Sequence, residues 1–157
     1  MCYVPAHAMA ARRLPGTDLR VRRGRRQDLP QVQTMLGPRA PAGSPRFFRR
    51  IVADLGTDLY VAEDARGEIV GLVAVTYARS PTRGGRSALL DGVRTRAEPA
   101  QPLLEGLVAF AEERARRRGC RRLAAWVDSG DAALRAALLA RGYRLGELLV
   151  ADLGATA

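Results

Sequence analysis

Arg94 and Arg96 follow a candidate strand, Ser87–Val93, and precede a helical run that begins at Leu103. A guanidinium presents a planar fork of donors that matches phosphate or carboxylate, so two of them at the entrance to a helix suit an anion. The helix N-terminus adds unpaired N–H groups and the positive end of its dipole. The residues between act against this. Pro99 and Pro102 each lack an N–H, and Glu98 brings a negative charge to the same place. A plainer reading is that Glu98-Pro99 simply opens the helix, since both residue types favour a first turn. For proton transfer the choices are few. His7 is the only histidine and lies in an aperiodic N-terminal stretch, so the carboxylates on or beside strands, Asp91, Asp128 and Glu63, are the alternatives. Each of them also reads as a solvated carboxylate or an arginine partner. Cys2 and Cys120 make neither a disulfide framework nor a zinc spacing, and no metal site is expected.

The 157 residues, 47% hydrophobic, suffice for one domain with a single core. No apolar run approaches the roughly 20 residues that span a bilayer, and the N-terminus has no continuous apolar stretch of the secretory type. A cytoplasmic protein without a membrane partner is the expectation. The net charge is +10, and all 26 basic residues are arginine. Residues 1–50 carry eleven arginines against Asp18 and Asp28, whereas residues 51–157 carry fifteen against fourteen acids. The basic excess is therefore local to the N-terminal third, where it suits an acidic partner. It has no interleaved aromatics and no nucleic-acid motif, so base reading is not supported.

Residues 1–17 show no period and end in Pro15-Gly16, which reads as a flexible leader, with Met9 as an alternative start; residues 18–157 read as one domain. Leu19–Arg22 alternates as a half-exposed strand. Asp28 caps a short helix that Gly37-Pro38 stops, and Ser44-Pro45 opens a second over Arg46–Leu55. Leu59–Glu63, Ile69–Tyr77 and Ser87–Val93 form an antiparallel meander, with turns at Asp64–Gly67 and Gly84-Gly85. A helix over Leu103–Arg118 then crosses to a parallel strand, Leu123–Val127, followed by a helix over Asp131–Ala140. Trp126 reads as core. Glu147–Asp152 reads either as a final strand or as part of a pair completed by a second subunit, so a homodimer is one arrangement it allows. The order β-α-α-β-β-β-α-β-α-β is a mixed α/β sheet with helices on both faces.

That order, with Asp28-Leu29-Pro30, Gly67-Glu68-Ile69-Val70-Gly71, Leu103-Leu104 followed by Ala115 and Gly119-Cys120, and Gly142-Tyr143, resembles the GNAT N-acetyltransferases over residues 18–153. The resemblance implies a fold in which the strands Ser87–Val93 and Leu123–Val127 splay apart around the pantetheine arm of acetyl-CoA. The pyrophosphate then lies over the N-terminus of the next helix. The family's glycine-rich phosphate pattern falls on Thr95–Ala100, where only Ala100 fits.

Val93, Arg94, Arg96, Ala100 and Gln101 are thus the implied cofactor contacts, together with Asp131 at the position of the family's asparagine. Asp91 is the implied base. The tyrosine that protonates the leaving thiolate falls on Leu138, which with Leu134 and Ala137 reads as the buried face of a helix, while Tyr143 fills a closing aromatic position. The activity implied is transfer of acetyl from acetyl-CoA to a primary amine on a small molecule or protein, and the basic helix Arg46–Arg50 suits an acceptor with negative charge. The other reading is a GNAT-shaped binding or regulatory module that has lost catalysis.

Overall fold

The computed structural model describes residues 12–37, 45–96, 98 and 100–154. The readings placed on Cys2, His7, Met9, Pro38, Ser44, Ala97 and Pro99 lie outside the described residues. Among those described, six strands form one sheet in sequence order: β1 (Arg12–Arg13), β2 (Arg20–Arg23), β3 (Thr57–Glu63), β4 (Ile69–Ser80), β5 (Gly85–Thr95) and β6 (Arg122–Ala125). Neighbours are antiparallel as far as β5, and β5 and β6 are parallel. The described residues also form four α-helices: α1 (Leu29–Leu36), α2 (Pro45–Ala53), α3 (Ala100–Arg117) and α4 (Ala132–Ala140).

Strand alternation builds two cores. Along β3, Leu59 and Val61 point to one face, where they meet Leu29 and Val32 of α1 and Phe48 of α2. Tyr60 and Ala62 point to the other, against α3. This period of two, set beside the 3.6-residue period of the helices, produces the layered α/β arrangement expected from the sequence. The second face holds the larger cluster, with Leu103, Leu107 and Phe110 of α3 and Leu134 and Leu138 of α4 over Val73, Val75 and Leu90. Gly71 on β4 lies under α3. A Cβ there would stand 3.2 Å from Leu107 Cδ1.

Both ends of the domain differ from the sequence reading. Residues 12–17 are not a free leader: Arg12 and Arg13 pair with Val21 and Arg20, and Leu14 is buried in the main core. Gly106 explains the fit, because a Cβ at that helical position would meet the Pro15 carbonyl at 2.6 Å. At the other end, Glu147–Asp152 forms no strand. A strand needs a partner edge, and residues 144–154 make no hydrogen bond to another described residue. α2 stops at Ala53 rather than Leu55, because the Asp54 carboxylate accepts from the Gly56 N–H and the Thr57 hydroxyl and closes a turn. Asp28 is the N-cap residue of α1 but makes no side-chain cap bond to it. Its carboxylate accepts instead from the Arg25 N–H at 2.6 Å and from the fork of Arg22. No helix among the described residues is long and apolar enough to cross a membrane.

Candidate active site

β5 and β6 run side by side only from Ser87 opposite Arg122 to Leu90 opposite Ala125. The last bond between them is from the Trp126 N–H to the Leu90 carbonyl, 3.0 Å. Beyond that point β5 continues to Thr95 while the other chain segment turns away, so the two diverge. The cause lies on the opposite edge of β5. Its register with β4 shifts between Ala74, which faces Gly92, and Val75, which faces Leu90, leaving Asp91 as the extra residue of a bulge. A bulge bends its strand and increases the local twist. It also resets the alternation: Ala88 and Leu90 enter the core, and the next core residue is Val93.

Asp91, Arg94, Trp126 and Asp128 line a cavity of about 220 Å³ at this divergence. It lies beyond the carboxyl ends of two parallel strands, the usual place for a ligand in a sheet of this kind. Asp128 and Asp131 are held together by a short turn, with the Asp131 N–H donating to the Asp128 carbonyl at 2.9 Å. Asp131 is also the N-cap of α4, its Oδ1 accepting from the Leu134 N–H at 3.1 Å. Arg94 reaches across the divergence to this turn. Its Nη2 donates to Asp128 Oδ2 at 3.3 Å, its Nη1 lies 3.7 Å from Asp131 Oδ2, and the same Nη1 donates to the Val93 carbonyl at 2.9 Å. The two acidic partners are 69% and 29% exposed, and Arg94 is 39% exposed.

Of the residues singled out from the sequence, Asp91, Val93, Arg94 and Asp131 are therefore brought to one place, and Asp128 with them. Arg96 is not. Its guanidinium goes to Glu68, 3.3 Å away on the β3–β4 hairpin, and its N–H donates to the Val70 carbonyl. Ala100 and Gln101 begin α3, where Ala100 packs against the core and Gln101 Nε2 donates to Glu105 at 3.1 Å. The connection between strand and helix is shorter than the span from Val93 to Leu103 expected from the sequence, since β5 extends to Thr95 and α3 starts at Ala100. Glu63 is removed from base work, because the Arg22 Nε donates to it and the same guanidinium forks onto Asp28. Burial opposes charge on Asp28, but Arg22 and the Arg25 N–H outweigh it and hold the carboxyl below its ordinary value.

Trp126, expected in the core from the sequence, is 45% exposed and forms a wall of the cavity. Its position at the C-terminal end of a parallel strand was the available signal. Leu138 is buried beside Leu134 and Ala137, as the helical pattern required, and carries no proton donor. Tyr143 packs against the same core. Burial first, and then the neighbouring Glu112 carboxylate, push its hydroxyl well above the usual phenol range. Arg141 forks onto that same Glu112, and Glu112 and Glu113 pair with Arg116 and Arg117 one turn on.

No family model matches the sequence, and no curated protein does. Solved structures match over most of their length. A transcriptional regulator from Bacillus halodurans C-125 superimposes with a TM-score of 0.70 at 29% identity, over 85% of this chain and 98% of that one. An aminoglycoside antibiotic 6'-N-acetyltransferase from Acinetobacter baumannii gives 0.70 at 14% identity, over 88% and 99%. A ribosomal-protein-alanine N-acetyltransferase from Brucella melitensis biovar Abortus 2308 gives 0.69 at 13% identity, over 85% and 99%. The chain has the GNAT N-acetyltransferase fold.

Proposed function

We propose that the chain is an N-acetyltransferase that moves acetyl from acetyl-CoA to a primary amine. The observation that carries this reading is the bulge-driven divergence of β5 and β6 on a GNAT frame, with the Val93 carbonyl turned toward Arg94 rather than spent on a neighbouring strand. Acetyl-CoA supplies an acetyl carbonyl activated as a thioester. The residues at hand suit its pantetheine arm better than its phosphates. Val93 and the adjacent backbone of β5 would accept from the arm's amide N–H groups. For the pyrophosphate, the N–H groups of Ala100 and Gln101 at the start of α3 would contribute, and Pro102 would not.

Cations make up the difference. Half-exposed ion pairs such as Arg94 with Asp128 contribute little, ~0–1 kcal/mol, so a doubly charged pyrophosphate offers Arg94 a better partner. Moving Arg94 to the phosphate also releases the Val93 carbonyl and the Asp128 carboxylate. Arg96 would make the same exchange away from Glu68. Asp91, beside Asp128, favours a cationic amine in the cavity and takes its proton directly or through a water. The amine nitrogen then bonds to the acetyl carbon, the carbon–sulfur bond breaks, and the second proton of that nitrogen passes through water to the thiolate, since Leu138 has none to give.

A second reading is favoured by the most similar sequence among these neighbours, which is described as a transcriptional regulator. On that reading the domain acts as a binding module. Arg46, Arg49 and Arg50, exposed along α2, would hold an acidic partner. Calorimetric titration of the full chain with acetyl-CoA and with desulfo-CoA separates the two. Binding of both ligands with thermal stabilisation is expected for the enzyme. No heat and no shift in Tm at millimolar ligand would reject it in favour of the module.

A further inference from the structure

Beyond residue 50 the arginines are balanced by acids in number but not in position. Residues 79–86 and 116–122 hold eight arginines and no acid. The sheet brings the two segments together. Arg79 and Arg86 are direct partners on β4 and β5, and Arg121 precedes β6 beside Arg86, since the register sets Ser87 opposite Arg122. Arg83 sits in the exposed turn of the same hairpin. Like charges set directly opposite on neighbouring strands repel. Arg79, Arg83 and Arg121 are exposed, and their side chains make no hydrogen bond or ion pair with another described residue. Arg86 has only a carbonyl, that of Arg118 just past the end of α3, to which its Nη1 donates at 3.2 Å. The acids at this end of the sheet are committed elsewhere. Asp58 is buried between Arg114 and Arg118, and Asp54 accepts from the Gly56 N–H and the Thr57 hydroxyl.

We propose that this end of the sheet is a docking surface for a single nucleic-acid strand, held by its phosphates and not read by its bases. A guanidinium fork matches the oxygens of a phosphate, and four of them at one place repel each other until an anion lies between them. The row Arg79, Arg86, Arg121 crosses three strands, about 10 Å, and Arg83 extends it, so roughly four phosphates of one strand come within reach. A protein partner would need an apolar centre, and the patch offers none: the exposed large apolar side chains of the described residues lie outside residues 56–125. For the same reason no aromatic platform stands ready to stack a base, which confines the contact to the backbone. The surface lies at the start of β5 and β6, at the opposite end of the sheet from the cavity. Arg86 is about 26 Å along β5 from Arg94. The inference therefore does not rest on the acetyltransferase reading.

Fluorescence anisotropy of the full chain with a labelled poly(U) strand of about 20 nucleotides, between about 50 and 200 mM salt, tests it. Affinity should fall with salt at a log–log slope of about −3, the value for four phosphate contacts on a single strand. The double variant Arg79→Ser with Arg121→Ser should keep the wild-type Tm, bind at least about tenfold more weakly and show a slope nearer about −1.5. Arg79→Glu, which sets a carboxylate opposite Arg86, should raise the Tm while weakening binding. Arg49→Ser with Arg50→Ser, on α2, should bind as the wild type does. RNA binding that the Arg79 and Arg121 double variant leaves unchanged overturns the proposal. So does polyglutamate of equal length that displaces the strand at equal concentration, since that would make the patch a surface for an acidic protein.

Discussion

Two arginine–aspartate clusters in this molecule have the same chemistry and opposite consequences. At the start of β3, Asp58 has no solvent exposure, and four groups close on it. Arg118 Nη2 lies at 2.8 Å, Arg114 Nη2 at 3.1 Å, the Tyr77 hydroxyl at 2.7 Å, and Arg23 at 3.8 Å. Arg114 and Arg118 also stand over the rings of Tyr60 and Tyr77. At the end of β5, Arg94 meets two aspartates at longer range and in partial contact with water. Burial decides between them. A carboxylate taken out of water must keep its partners, because losing one strands a charge in a poor solvent. A half-exposed pair can be exchanged, because water takes over at little cost. The first cluster ties the C-terminal end of α3 to the central strands β3 and β4, and the second can exchange its partners.

The largest effect that would break this contrast is at Asp58. Asp58→Asn should destabilise the fold by about 3 kcal/mol, read from urea unfolding, because Arg114 and Arg118 lose their counter-charge in a buried site. A loss below about 1 kcal/mol would put this cluster in the same category as the exposed one. The same residue carries a pH signature. Burial pushes the Asp58 carboxyl upward, but Tyr77, Arg114 and Arg118 together hold it below its ordinary 3.8. A lowered folded-state value means that the stabilisation is complete above pH 3.8 and fades as the pH falls through the folded value. The wild-type chain should therefore lose stability more steeply below about pH 4 than Asp58→Asn does.

Smaller effects are expected at the divergence. Arg94→Ala should leave the unfolding midpoint within about 0.5 kcal/mol of wild type yet weaken acetyl-CoA about tenfold by calorimetry, the loss of one charge-assisted contact. Equal affinity in the two proteins would remove Arg94 from the phosphate contact. Asp128→Asn should act in the opposite direction and tighten acetyl-CoA roughly two- to fourfold, since it removes a competitor for the same guanidinium. Weaker binding in that variant would show that Asp128 supports the ligand rather than competing with it.

Much of the fold was legible because it depends on local rules. The β3–β4 hairpin follows from Gly67, whose φ of 79° suits a turn that L-residues avoid, and from alternation on both sides of it. The crossover from β5 through α3 to β6 follows from a strand, an 18-residue helix and a strand in succession. The site was only half legible. Asp91, Val93 and Arg94 could be placed because they fall within four positions of one strand. The bulge could be found only in the broken alternation from Leu90 to Val93, where Asp91 and Gly92 separate two core residues. The partner that draws Arg96 away, Glu68, lies 28 positions earlier, and no spacing rule joins them.

The sequence by itself determined the order of elements from β2 to α4, the two faces of the sheet, the buried side of α4 and the absence of a proton donor at Leu138. All of these rest on periodicity and residue type, which short stretches of chain express on their own. Only the tertiary structure decided that Asp58 is locked while Arg94 is half-exposed, that Leu14 belongs to the core over Gly106, and that residues 144–154 make no hydrogen bond to another described residue. Those outcomes depend on solvent access and on contacts between distant segments. Neither is set until the helices have closed over the sheet, because the same ion pair is structural when buried and exchangeable when wet.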